Sequence, residues 1–276
     1  MRVFARTETQ SVLWPMVPSK PELGALTPPG PLGRYVASVR WGRERFASEV
    51  CERVLPDGAV HLFFDLGDAK AATVAGARCK PTVLRLSGQL EHIGLELRPG
   101  AVEVVLGVPA RSLSGMDVPL EALWGRGATE LLERLAEVPS AARPKVLGAA
   151  LVDRMRGSAR APDRRATAAV QRIVGARGGV HLRDIANAVG VGERRLEQIF
   201  ARDVGLGPKA WSRLARFRSA IDIILGSTER SWAKLAQVCG YYDQAHMTHE
   251  FRSLAGATPA ALASFGFFQE GGRLPG

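Results

Sequence analysis

Apolar positions along the chain change their period once, close to residue 120. Before that point, short alternating runs stand between glycines and prolines. "YVASVRW" places Tyr35, Ala37 and Val39 on one face, and "RVLPDGAVHLFFDL" sets a Pro-Asp-Gly turn at Pro56–Gly58 between two apolar runs. "TVLRLSG", "HIGLELRPG" and "VEVVLGVPARSL" follow, each bounded by Gly or Pro. Period-two alternation with turn residues between the runs predicts short half-buried strands, and many of them in sequence predict a small barrel or sandwich. Residues 1 to about 30 carry the breaker "TPPGP" and read as irregular.

A helical period then takes over. Leu120, Leu123, Trp124, Leu131, Leu132 and Leu135 recur at spacings of three, four and seven, and Val146, Leu147, Leu151 and Met155 continue after Pro144. These predict two helices closing the N-terminal unit. "RMRGSARAPDRRAT", Arg154 to Thr167, has almost no large apolar side chain and reads as an interdomain linker. The expected organisation is a β-rich unit over 1–157, a linker at 158–166, an all-helical domain over 167–265 and a tail at 266–276, an α+β two-domain chain.

The helical part repeats itself. Ile185-Ala186, Gly190, Leu196, Phe200, Gly205 and Pro208 recur as Leu235-Ala236, Gly240, Met247, Phe251, Gly256 and Pro259. Each copy reads as a helix, a Gly-centred turn and a second helix. The shared letters are the apolar and turn positions. Glu193, Arg194, Glu197 and Gln198 point outward in one copy, and Gln244, Ala245, His246, Thr248, His249 and Glu250 in the other. Tyr241 is expected in the core and Tyr242 over the turn. Matching packing positions with different surface letters are what two helix-turn-helix readers of different base sequences require. Between them, "AWSRLARFRSAIDIILGS" aligns Trp211, Leu214, Phe217, Ile221, Ile224 and Leu225 on one face of a connecting helix of about sixteen residues, on the order of 24 Å long. That length approaches the ~34 Å between successive major-groove openings on one side of B-DNA.

These residues resemble the C-terminal DNA-binding domain of the AraC/XylS family of bacterial transcription regulators, over roughly Thr167 to Ser264. "FARDVGLGP" and "FRSLAGATP" correspond to the family's Phe-x4-Gly-x2-Pro signature after each recognition helix. "VLPDGAVHLFFDL" and "LRPGAVEVVLGVPARSLSGMDVPLEAL" are similar to a β-rich sensor domain found in one group of these regulators. The resemblance implies base-facing roles for Arg194, Glu197 and Gln198 in the first reader and for Gln244, Ala245 and His249 in the second. His249 departs from the family, where arginine is usual, and Ala245 offers no hydrogen bond, so the second reader should discriminate weakly. Partners implied are duplex DNA, RNA polymerase, a small-molecule effector and a second copy of the chain.

Charge supports a polyanion partner for the C-terminal part. Of a net +10, residues 158–276 hold 17 Lys and Arg against 10 Asp and Glu, whereas residues 1–157 hold 20 against 17. Apolar residues at 46% and charged residues at 23% are globular composition. No apolar run suits a membrane span or a secretory signal, which predicts a cytoplasmic protein. Cys51, Cys79 and Cys239 are widely spaced and read as reduced thiols. His61 and His92 lack nearby partners for a metal, and His246 with His249 falls on the DNA-facing helix, so neither a metal nor another cofactor is expected. A ligand, if carried, is expected inside the barrel among Val60, Leu62, Phe64, Leu84 and Leu86. No nucleophile elbow, phosphate loop or His-Glu-x-x-His run occurs, so no catalytic residue is assigned. The alternative class is a repair or other enzyme with a β-barrel catalytic domain, using Cys51 or Cys79 as acceptor thiol, fused to a DNA-binding tail. A third is an architectural DNA binder without regulation.

Overall fold

A computed structural model describes residues 4–6, 24–157, 161, 163–227, 229 and 231–264. Part of the expected linker, residues 158–160 and 162, and the expected tail lie outside them, as does most of the stretch before residue 24.

Among the described residues, seven strands form one sheet: β1 (Phe4–Arg6), β2 (Gly24–Leu26), β3 (Val36–Val54), β4 (Val60–Asp65), β5 (Ala71–Ala75), β6 (Thr82–Leu97) and β7 (Asp117–Pro119). Their order is β1-β3-β6-β4-β5-β7, with β2 also on β3, and the described pairings are antiparallel. The sheet is open, which corrects the expected barrel or sandwich. Helices, rather than a second layer of strands, cover its apolar face: α1 (Val102–Leu106), α3 (Arg126–Glu137) and α4 (Arg143–Arg156), with the short α2 (Glu121–Trp124) just ahead of α3. In β4, Val60, Leu62 and Phe64 face this layer and are 2% exposed or less, while His61, Phe63 and Asp65 are half-buried on the other face.

Several local readings change. A register shift between Val36 and Ser38 puts Val36 and Val39 in the core and leaves Tyr35 and Ala37 half-buried, because a bulge breaks strict alternation. "TVLRLSG" and "HIGLELRPG" are one strand, β6, with Gly88 inside it at φ +68. A side chain there would collide with the Asp68 carboxylate, which accepts from the Gln89 N–H at 3.0 Å. "VEVVL", expected as a strand, is helix α1. Its Val102, Val105 and Leu106 pack into the core, so tertiary burial overrides the β-branched preference. The strands either side of the Pro56–Gly58 turn are not hairpin partners, since β6 lies between them.

The remaining helices are α5 (Arg164–Gly175), α6 (Leu182–Ala188), α7 (Glu193–Asp203), α8 (Pro208–Gly226), α9 (Trp232–Val238), α10 (Gln244–Ala255) and α11 (Pro259–Ser264). Helix α5 starts inside the expected linker because Asp163 caps it, accepting from the Arg165 N–H at 2.9 Å. The hydrogen bond from the Arg165 side chain holds the Asp163 carboxyl below its ordinary range. Two helical cores follow. One joins α5, α6, α7 and the start of α8 around Phe200 and Ile173, and the other joins α8, α9, α10 and α11 around Phe217 and Phe251. The second core also takes Leu55, 2% exposed, from the N-terminal unit, with Cys79 packed against it. The buried core of the first helix-turn-helix pair is thus drawn from the helical domain, and that of the second is shared with the N-terminal unit.

Candidate nucleic-acid interface

Each reader is built by the same local chemistry. Gly190 (φ +70) and Gly240 (φ +76) turn the chain between the paired helices, while Gly205 (φ +89) and Gly256 (φ +68) end α7 and α10 in the left-handed region. Side chains other than glycine rarely take that conformation. Pro208 and Pro259 then occupy the first positions of α8 and α11, where a missing N–H costs nothing. The Phe-x4-Gly-x2-Pro spacing is thus a core anchor, a helix stop and a helix start in that order.

Apolar spacing turns the second helix of each pair. Leu196, Ile199 and Phe200 are 1% exposed or less in α7, as are Met247, Phe251 and Leu254 in α10. The opposite faces carry Arg194, Glu197 and Gln198 on α7, and Gln244, Ala245 and His249 on α10, all exposed. All six expected base-facing residues therefore stand on the outer faces of two helices joined by α8. Gln198 accepts from Arg195 Nη1 at 3.1 Å, so its amide is oriented before any ligand arrives. Exposed Arg183, Arg195, Lys209, Lys234 and Arg252 add positive charge on the helical domain.

Three outward assignments in the second copy change. Glu250 is 5% exposed and accepts from Arg213 Nε at 2.7 Å, and His246 and Thr248 are half-buried. Glu250 stands where the first copy has Ile199, so an ion pair to α8 replaces an apolar contact. Tyr241 is core as expected, edge-on to Phe251 at 6.4 Å, and burial pushes its phenol well above the ordinary range. Tyr242 is 87% exposed and does not cover the turn.

The connecting helix α8 is longer than expected, at 19 residues, about 28 Å. Trp211 belongs to the first core and Leu214, Phe217 and Ile221 to the second, so one helix is wall to both readers. Ile224 is half-buried, and the Leu225 side chain lies outside the described residues.

The expected ligand residues are not brought together. Val60, Leu62 and Phe64 fill the core between sheet and helices, whereas Leu84 and Leu86 are half-buried on the far half of β6, outside that core. A cleft of roughly 380 Å³ lies elsewhere, where α1 meets α7, lined by Glu103, Val104, Asp163, Arg202 and Asp203 among others. His61 is hydrogen-bonded to Asp57 at 2.8 Å, and His92 stacks on Phe63 at 5.6 Å. Among the described residues no three His, Cys, Asp or Glu side chains are grouped to hold a metal. Burial raises the Cys79 thiol above its ordinary range, with Arg213 opposing, and pushes Cys239 up to about 11. No helix among the described residues is long and apolar enough to cross a membrane.

Comparisons with known proteins match two separate stretches of the chain. A family model described as a helix-turn-helix domain matches residues 185–264, and a model for a domain of unknown function, DUF6597, matches residues 25–119. No curated protein matches the chain. Among solved structures, an AraC-type transcriptional regulator from Chromobacterium violaceum is 24% identical over 35% of this chain and 87% of its own, with a TM-score of 0.33. ToxT from Vibrio cholerae is 8% identical over 98% of both chains, with a TM-score of 0.41.

Proposed function

We propose a function from one premise: this chain carries an AraC-type helix-turn-helix domain at its C-terminal end, behind a DUF6597 region. It is a sequence-specific DNA-binding transcription regulator, reading adjacent major grooves with α7 and α10. The observation that carries this reading is the pair of helices with buried apolar faces and exposed, mutually different polar faces, joined by the 19-residue α8.

Arg194 and Gln198 have the reach and donors for base edges, since arginine pairs bidentately with guanine and glutamine with adenine. Glu197 beside them accepts from cytosine. In α10, Gln244 can read a base, His249 is shorter than the family's arginine, and Ala245 supplies only a methyl contact. The first reader then carries most of the discrimination and the second mostly positions the chain on phosphates. The N-terminal unit modulates this binding through its contacts with both readers. A small-molecule effector, RNA polymerase and a second copy of the chain are its proposed partners, and catalysis is not part of the reading. The raised Cys79 thiol is the opposite of what an acceptor thiolate needs.

Selection of duplexes from a random pool by the full chain tests the reading. A single recurring sequence with two half-sites is expected, bound with an affinity whose logarithm falls by roughly 0.9 per phosphate neutralised as log salt rises. A pool without any preferred sequence would overturn it and favour the architectural class.

A further inference from the structure

Contacts from the N-terminal unit reach both readers and the helix between them. At the end of α7, the Gly100 N–H donates to Asp203 O at 2.8 Å and the Ser114 hydroxyl donates to Gly205 O. Thr167 Oγ1 on α5 donates to Pro99 O at 3.0 Å. Midway along α8, Arg218 Nη1 donates to Asp57 O at 3.5 Å, and a Cβ added to Gly58 would stand 3.2 Å from both Trp211 and Leu214. At the end of α10, Arg53 Nη1 donates to Ala255 O and Gly256 O, each at 3.3 Å. Leu206, between α7 and α8, packs against all three cores. The DNA-facing positions take no part and stay exposed.

We propose that the segment Arg53–Ala59 is a specificity-determining element: it fixes the distance and rotation between the two readers, so that the full chain accepts half-sites at one spacing. This rests on the DNA-reading assignment above. Helix α8 enters the cores of both readers, and short connections join it to its neighbours at Leu206–Gly207 and between Gly226 and Trp232. The N-terminal sheet spans both, because the same unit that holds the end of α7 also holds the end of α10. Arg53 suits this task chemically. The last carbonyls of a helix have no intrahelical donor and sit at the negative end of its dipole, so a guanidinium there makes two charge-assisted hydrogen bonds at once. The close seat of Gly58, at φ +75, leaves no room for the loop to slide along α8.

Two readers that bind together gain about 10² to 10⁴ over one, and lose the gain when geometry forbids joint engagement. The test takes a duplex selected by the wild-type full chain and inserts one to five base pairs between its half-sites. Wild type is expected to lose about a hundredfold in affinity on insertion. Arg53→Met, which keeps the side-chain stem and removes the donors, and Gly58→Val should lose less than about tenfold, because they bind the native spacing more weakly. Arg53→Lys should restore part of the preference. All variants should bind a duplex holding only the first half-site as wild type does, which separates loosened spacing from failed folding. A wild-type spacing profile in both Arg53→Met and Gly58→Val overturns the proposal while leaving the DNA-reading assignment in place. A wild-type chain that selects no duplex removes both.

Discussion

The two helix-turn-helix readers share a skeleton and differ in what holds them up. The first, α6–α7, packs against α5 and α8, and its core is drawn from the helical domain alone. The second, α9–α10, borrows Leu55 from the N-terminal unit, buries the Glu250 carboxylate against Arg213 and is tied by Arg53 at its end. Their starts differ too. Asp243 caps α10 by accepting from the His246 N–H at 2.7 Å, whereas Gly192 begins α7 with no side-chain cap. A repeated pattern of apolar letters therefore specifies a repeated fold without specifying equal independence. Both readers touch the N-terminal unit, but only the reader with the poorer base-reading face shares its apolar core with that unit.

Leu55→Ala should have the largest effect and should divide the readers. Emptying a fully buried leucine site costs about 2 to 5 kcal/mol, and here the loss falls on the second core. Hydrogen exchange is expected to quicken in α9 and α10 and to leave α6 and α7 unchanged. Equal quickening in both pairs would break the comparison.

Acidification should destabilise the N-terminal sheet that both readers contact. Burial, helped by the neighbouring Arg143 and opposed by Glu91, holds His92 down to about 4. Glu91, which burial pushes up, is held below its ordinary range by hydrogen bonds from Arg43 and Arg143, so it remains a carboxylate beside the ring. The folded protein keeps His92 neutral while the unfolded chain protonates it near its ordinary 6.5. The contribution is therefore complete above pH 6.5 and is lost as pH falls from 6.5 towards 4. The whole loss is on the order of 3 kcal/mol. Thermal unfolding followed against pH should show this slope, and His92→Phe should flatten it.

On DNA the ranking reverses. Arg194→Ala and Gln198→Ala should each cost ~1 to 3 kcal/mol on the selected duplex with little change on random DNA. His249→Ala should cost less. Competition binding with both duplexes measures this, and a larger loss at His249 would make the second reader the principal one.

The smallest expected effect is Asp243→Ala, which removes the cap of α10 at about 1 kcal/mol. Equilibrium denaturation would register it. Gly192→Asp, which gives the first reader the cap it lacks, is the reciprocal change and should stabilise by a similar amount.

Sequence by itself determined whatever depends on period and local backbone. Its repeat located both readers, and the glycines and prolines within it mark the turns and helix ends seen in the structure, because left-handed stops and proline starts are local demands. The outward faces of α7 and most of α10 were legible for the same reason. Glu250 was not, because a buried carboxylate looks like a surface one until its partner is known, and Arg213 lies 37 residues away. Val102–Leu106 read as a strand and became a helix, since an apolar run too short to show a period takes its form from what it packs against. The open sheet, the single strand through Gly88 and the separation of Leu84 and Leu86 from Val60, Leu62 and Phe64 were likewise decided by long-range pairing. Tertiary structure alone brought Leu55, Arg53 and Gly58 onto α8 and α10. Such contacts join residues more than 150 apart, as Asp57 and Arg218 are, and at that separation no local pattern of letters records which partner a side chain will meet.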